Sequence, residues 1–188
     1  MEKKRVFIGF DLDGVILDHA PVKIKLAKNF GFDIKKHQTP SEIINKIITP
    51  RSTYLEFKHA LYENPETALS PKLLPGIVAF LSRIKKAKIP FALISRRKSI
   101  DIPTQLLKKH KLWPQYFNKD NVYFVEKPED KDVRAIKLGV THYIDDEPKV
   151  LSKLVSVKNK YLFDPLDSYK DSPFLRVKSW REMHKYIF

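Results

Sequence analysis

From Leu74 onward, short β-rich runs alternate with helix-length runs, and little chain lies between them. Pro90–Ser95, Val122–Val125, Thr141–Ile144 and Lys160–Phe163 read as strands, the last being the final core strand. Helices are expected from Pro75-Gly76 to about Ala87 and over Ile102–His110, Lys131–Leu138 and Glu147–Leu154. Ser179–Ile187 should close the chain as a helix, and Arg5–Phe10 should open it as a buried strand. Strands separated by helices are joined by right-handed crossovers, which makes the sheet parallel. The expected fold is α/β, a doubly wound parallel sheet.

Residues 20–72 break this rhythm and read as helical. Pro21, Pro40 and Pro50 each stand where a first helical turn can begin, and Thr39 and Thr49 are the expected N-caps of the last two. Asn64-Pro65 and Ser70-Pro71 interrupt the pattern. Residues 1–17 and 73–188 are therefore the expected catalytic core, and residues 18–72 a small helical cap inserted after the first strand. Phe30, Phe32, Tyr54, Phe57 and Tyr62 are expected to fill the core of that cap, with stacking on a base as their functional alternative.

In an open parallel sheet, chemistry gathers outside the carboxyl ends of the strands. The polar residues of interest fall there: Asp11 and Asp13 after the first strand, Ser95 at the end of the second, Asp145 and Asp146 after a later one. Converging carboxylates repel, and a hard divalent cation such as Mg²⁺ offsets them with oxygen ligands. The local reversal stands out because the chain as a whole carries a formal charge of +14. That basic balance suits a solvated surface, or attraction to anions such as phosphorylated metabolites or nucleic acid.

The chain has 188 residues, 43% of them hydrophobic, enough for one domain with a real core. It has no cysteine, which excludes disulfides, zinc-thiolate sites and thiol nucleophiles. No apolar run is long enough to span a membrane, so no membrane partner is expected. The opening Met-Glu-Lys-Lys-Arg-Val-Phe-Ile is basic and then apolar, like the start of a signal peptide. The apolar stretch is short, however, and Asp11 and Asp13 interrupt it. The expected compartment is the cytoplasm.

Asp11-Leu12-Asp13-Gly14-Val15 after a hydrophobic strand resembles the first motif of the haloacid dehalogenase superfamily. Ser95 resembles its second motif, Lys131 at a helix start its third, and Asp145-Asp146 its fourth. The order and spacing agree across nearly the whole chain. The tail, Tyr161-Leu162-Phe163-Asp164-Pro165 and then Leu175-Arg176-Val177-Lys178-Ser179-Trp180, resembles the 5'-deoxyribonucleotidase-like branch. It departs from that branch at Leu166-Asp167, where a Tyr-Asn pair is usual.

The resemblance implies a Rossmann-like core and a Mg²⁺-dependent phosphatase. Asp11 would be the nucleophile that becomes an aspartyl-phosphate. Asp13 would be the general acid and base, with its backbone carbonyl on the metal. Gly14 would permit a sharp turn and close approach of substrate. Ser95 would donate to a phosphoryl oxygen, and Lys131 would neutralise the nucleophile and the transferring group. Lys127, in a Lys-Pro pair like that of many superfamily members, is the rival lysine; Lys131 is preferred because it lies seven residues before Leu138-Gly139, a spacing that resembles this branch. Asp146 would bind the metal directly and Asp145 would orient water or the lysine, within a metal set of Asp11, Asp13, Asp145 and Asp146. Arg96 and Arg97 would grip phosphate, or else are simply solvated. The expected substrate is a nucleoside monophosphate or a similar small phosphomonoester. A nucleic-acid-associated protein, or a nucleic-acid end phosphatase using the basic surface, is the second reading. The oligomeric state has no signature in the sequence.

Overall fold

The alternating runs pair into a single layered sheet. A computed structural model describes residues 6–188; Arg5, the expected start of the first strand, and the basic opening lie outside the described residues. In chain order the strands are β1 (Ile8–Phe10), β2 (Leu17–Asp18), β3 (Lys72–Leu73), β4 (Phe91–Ser95), β5 (Val122–Phe124), β6 (His142–Asp145), β7 (Asn159–Phe163) and β8 (Leu175–Val177). The helices are α1 (Ala20–Asn29), α2 (Ser41–Ile47), α3 (Arg51–Tyr62), α4 (Pro65–Ala68), α5 (Ile77–Lys86), α6 (Asp101–Lys109), α7 (Pro128–Leu138), α8 (Pro148–Lys153) and α9 (Trp180–Ile187).

Six strands form one sheet in the order β5-β4-β1-β6-β7-β8, with every neighbouring pair parallel. The chain starts at β1 in the middle and winds outward to both sides, which is the doubly wound arrangement. Side chains alternate between the two faces, as a period of two requires. Ile8, Phe10, Leu93, Ile144 and Phe163 enter one buried cluster with α5, α6 and α9. Ile94, Tyr143 and Leu162 enter another with α7 and α8. Helix α5 shows why such a run folds as it does: Ile77, Phe80, Leu81 and Ile84 recur at helical spacing and are all fully buried.

Trp180 joins the closing helix to the loop that follows β1. Its ring packs on Phe163 and Phe80, with centroids 4.8 Å away in each case, and its Nε1 donates to Val15 O at 3.1 Å. Ser179 Oγ caps that helix by accepting from Glu182 N at 3.1 Å.

The helical segment has its own buried cluster of Leu26, Ala27, Ile34, Ile44, Ile48, Tyr54, Phe57 and Leu61. Phe30 packs edge-on against Phe57. The chain leaves toward this segment through β2 and returns through β3, an antiparallel pair that the sequence did not announce.

Several local expectations need correction. Pro40 and Pro50, not Thr39 and Thr49, stand at the N-caps of α2 and α3. Thr39 Oγ1 instead donates backward to Lys36 O at 2.8 Å. Asn64-Pro65 does not merely interrupt: Asn64 Oδ1 accepts from Glu66 N at 3.0 Å and caps the short α4. Helix α7 begins at Pro128, which places Lys131 one turn into the helix. The core also does not end at Phe163, because β8 adds a sixth strand beside β7. The crossover to it carries no helix. Asp164 holds it together by accepting from Ser168 N, Tyr169 N and Arg176 Nε.

Candidate active site

Sheet register brings the acids together. Phe10 is paired with Ile144, so Asp11 and Asp145 are each the next residue past that pair, at the same carboxyl edge. Asp11 N donates to Ile144 O at 3.0 Å, which fastens the loop there. Ser95 ends β4 on the other side of β1 and is buried.

Lys131 reaches this edge from α7. Its Nζ lies 2.7 Å from Asp11 Oδ1 and 2.8 Å from Asp145 Oδ2, and the residue is only 1% exposed. Burial alone would lower its pKa, but Asp11 and Asp145 hold the ammonium well above its usual range. Lys127 is exposed at the helix N-cap. Asp145 is engaged on both oxygens, since Oδ1 accepts from Glu147 N at 3.0 Å.

Asp146 differs from Asp145 because its carboxylate accepts no hydrogen bond among the described residues. One oxygen from each of Asp11, Asp145 and Asp146 lies within 4.8 Å of the others. Burial, followed by Glu147, Asp145 and Asp11, pushes the Asp146 carboxyl well up, as expected for an acid in need of a cation. The donors are hard oxygens, so the group fits a divalent cation of the same kind. Gly14 makes room for it. Its φ is +76°, and an added Cβ would overlap the Asp146 carboxylate.

Asp13 faces a different set of partners. Arg97 Nε and Nη2 donate to its two oxygens at 2.6 and 2.9 Å, a bidentate fork. His19 Nδ1 stands 3.3 Å from Asp13 Oδ1 without forming a hydrogen bond. Burial alone would raise the Asp13 carboxyl, but Arg97, helped by His19, holds it well below the usual carboxylate range. Burial pushes the His19 imidazole down to about 4 against the pull of Asp13, so the ring is neutral at pH 7. The Arg97 guanidinium also lies over the Tyr62 ring, 4.1 Å from its centroid. Arg96 is not free either: its Nη2 donates to Glu147 Oε2 at 2.6 Å.

His19, Tyr62 as a partner of Arg97, and Glu147 join the site without having been expected there. Glu147 directly follows Asp145-Asp146 and was within reach of sequence reasoning. His19 and Tyr62 had no motif to mark them.

A family model described as "5' nucleotidase, deoxy (Pyrimidine), cytosolic type C protein" matches residues 4–188. The chain belongs to this family. It is a phosphatase of the haloacid dehalogenase superfamily, with the α/β fold of that group. No curated protein matches it in sequence. Among solved structures, it is similar to a haloacid dehalogenase-like protein of unknown function from Agrobacterium tumefaciens (TM-score 0.69, 18% identity, 97% of each chain covered). It is also similar to a HAD family hydrolase from Deinococcus radiodurans, solved with bound phosphate and sodium (TM-score 0.67, 14% identity, 97% of this chain and 95% of that one). A third is a predicted phosphatase from Clostridium acetobutylicum (TM-score 0.66, 19% identity, 97% and 98% covered). At these identities the likeness is one of fold. Among the described residues, no helix is long and apolar enough to cross a membrane.

Proposed function

We propose that this family member is a Mg²⁺-dependent phosphatase for a small phosphomonoester, a nucleoside monophosphate, and that it works through an aspartyl-phosphate on Asp11. The observation that carries the reading is the Lys131 ammonium bound between Asp11 and Asp145 at the carboxyl edge of the sheet. Lys131 engages Asp11 Oδ1 and leaves Oδ2 as the attacking atom. That oxygen forms a bond to phosphorus as the bond to the leaving alcohol breaks. Lys131 and the Ser95 hydroxyl bear charge on the phosphoryl oxygens.

Asp13 supplies the proton to the leaving oxygen and later takes one from the water that hydrolyses the acyl phosphate. In the fork with Arg97 both its oxygens are occupied. The pair must therefore open, and the incoming phosphate is the anion that can draw Arg97 away. Asp11, Asp146 and the Asp13 carbonyl are the groups assigned to Mg²⁺, with Asp145 holding Lys131 in place. When bound, Mg²⁺ supplies Lewis-acid neutralisation of the phosphoryl charge. The helical segment, residues 18–72, acts as a lid over this edge, contributing His19 and Tyr62 to the Asp13 surroundings. Its compartment is read as the cytoplasm, in keeping with the family description.

The test is a phosphate-release screen over nucleoside monophosphates and sugar phosphates, with Mg²⁺ or with a chelator. Release from nucleotides that stops on chelation supports the reading. Undiminished release without divalent metal, or none at all, contradicts it.

A further inference from the structure

Helix α3 carries Arg51, Lys58 and Tyr62 seven and four residues apart, a spacing that sets them along one side of the helix. That side is fixed against the core at its end, where the Arg97 guanidinium lies over the Tyr62 ring. Lys58 stands one turn before Tyr62, about 6 Å along the axis, and Arg51 two turns further out. From the core, the two neighbours of Arg97 in sequence, Arg96 and Lys98, face the same line of charge.

Arg96 shows where this line meets the reacting edge. It follows Ser95, the last residue of β4, and its Nη2 donates to Glu147 Oε2 at 2.6 Å. Glu147 comes two residues after the end of β6, and β1 lies between β4 and β6 in the sheet. The Arg96–Glu147 bond therefore crosses the end of β1, where Asp11 stands.

The cations here outnumber their partners. Among the described residues, Arg51, Lys58 and Lys98 form no ion pair, and the carboxylate they share, Glu147, is already bonded to Arg96. Partial desolvation lowers the Lys58 pKa, and Arg96, Lys98 and Arg51 lower it further against the pull of Glu147. Like charges held this close repel, and an anion joining them relieves the repulsion. Arg51, Lys58 and Lys98 are all exposed, so an anion can reach them from solution. The other cations of this edge are spoken for, Lys131 by Asp11 and Asp145 and Arg97 by Asp13. The open charge thus lies at the rim, outside the groups assigned to the transferring phosphoryl.

We propose that Arg51, Lys58 and Lys98 form a second anion subsite, which holds a phosphate that is not transferred while another phosphate of the same molecule reaches Asp11. The favoured substrate is then a small phosphomonoester with a second phosphate on its leaving group. The inference rests on the phosphatase reading above and deepens it by naming that substrate class. Phosphate suits the group because a phosphomonoester carries about −1.5 to −2 charge at pH 7 and offers three strong acceptor oxygens.

The experiment compares thymidine 3',5'-bisphosphate with thymidine 5'-monophosphate, which share the base, the sugar and the 5'-phosphate. The quantity read is kcat/KM for release of the 5'-phosphate from the bisphosphate divided by that from the monophosphate. In the wild type it should be roughly 10, since each of three exposed charge contacts is worth roughly 1.4- to 5-fold. The triple variant Arg51→Gln, Lys58→Gln, Lys98→Gln should return the ratio close to unity and leave the monophosphate value unchanged. A control triple, Lys86→Gln, Lys137→Gln, Lys185→Gln, removes the same charge from exposed positions on α5, α7 and α9. It should keep the wild-type ratio to within roughly twofold, because distant exposed charges are screened. A wild-type ratio at or below unity overturns the inference, as does a preference that survives the first triple or falls equally in both. A wild-type protein that cleaves neither compound overturns the phosphatase reading itself and this inference with it.

Discussion

Arg97 and Asp13 form a bidentate pair across 84 residues of sequence, with Nε 2.6 Å from Oδ2 and Nη2 2.9 Å from Oδ1. The guanidinium favours the ionised carboxylate and keeps the Asp13 pKa below its ordinary value. The sign of any perturbation follows: weakening the pair raises that pKa. With Arg97→Gln, the Asp13 carboxyl of the substrate-free protein should titrate at higher pH, because the guanidinium no longer favours its ionised form. The check is a carbon-13 NMR titration of the aspartate carboxylates in both proteins without substrate. An Asp13 resonance that titrates at the same pH in both would separate Arg97 from the acid-base group.

Lys131 and Lys127 should behave differently although only one helical turn separates them. Lys131→Ala removes the cation between Asp11 and Asp145 and should lower kcat roughly 10²-fold or more, the scale for losing one preorganised charge donor. Lys127 is exposed, so Lys127→Ala should change kcat little. Circular dichroism must accompany the first variant, since two buried carboxylates lose their partner. Folded Lys131→Ala with normal turnover would reassign the lysine.

Gly14→Ala tests the acid group as a metal site. The added methyl would overlap the Asp146 carboxylate and force it aside, in a backbone conformation that alanine adopts poorly. Mg²⁺ affinity measured by calorimetry should drop by about 10- to 100-fold, the usual size of a positioning defect around a metal. Unchanged affinity in the folded variant would remove Asp146 from the ligand set.

Trp180→Ala should destabilise the fold by about 3–5 kcal/mol, the usual cost of deleting a buried aromatic. The indole is fully buried against Phe10, Phe80 and Phe163 and also binds Val15 O. Urea unfolding measures the loss. A change below about 1 kcal/mol would place Trp180 at a surface rather than at the core.

The strands and helices of the sheet layer were legible because their signals are local: apolar runs, helical spacing, and Pro or Gly at the joints. Asp11, Asp145 and Asp146 were legible because each follows such a run. Lys131 stood out through a spacing from Leu138-Gly139 that resembles the nucleotidase branch, and the fold brings it to Asp11 and Asp145. β8 escaped because a three-residue strand follows an irregular crossover, and what secures that crossover is the carboxylate of Asp164, not a helix. His19 escaped because its role depends on a partner brought near by the fold. The same is true of Tyr62, whose ring meets Arg97 across 35 residues of sequence.

Everything proposed for catalysis depends on Asp11 as the attacking group. Asp11→Asn keeps the side-chain shape and removes the attacking carboxylate. Phosphate release from thymidine 5'-monophosphate in the presence of Mg²⁺ should fall by several orders of magnitude, as when other enzymes lose their nucleophile, while the protein remains folded. Near-normal turnover by folded Asp11→Asn would contradict the covalent mechanism.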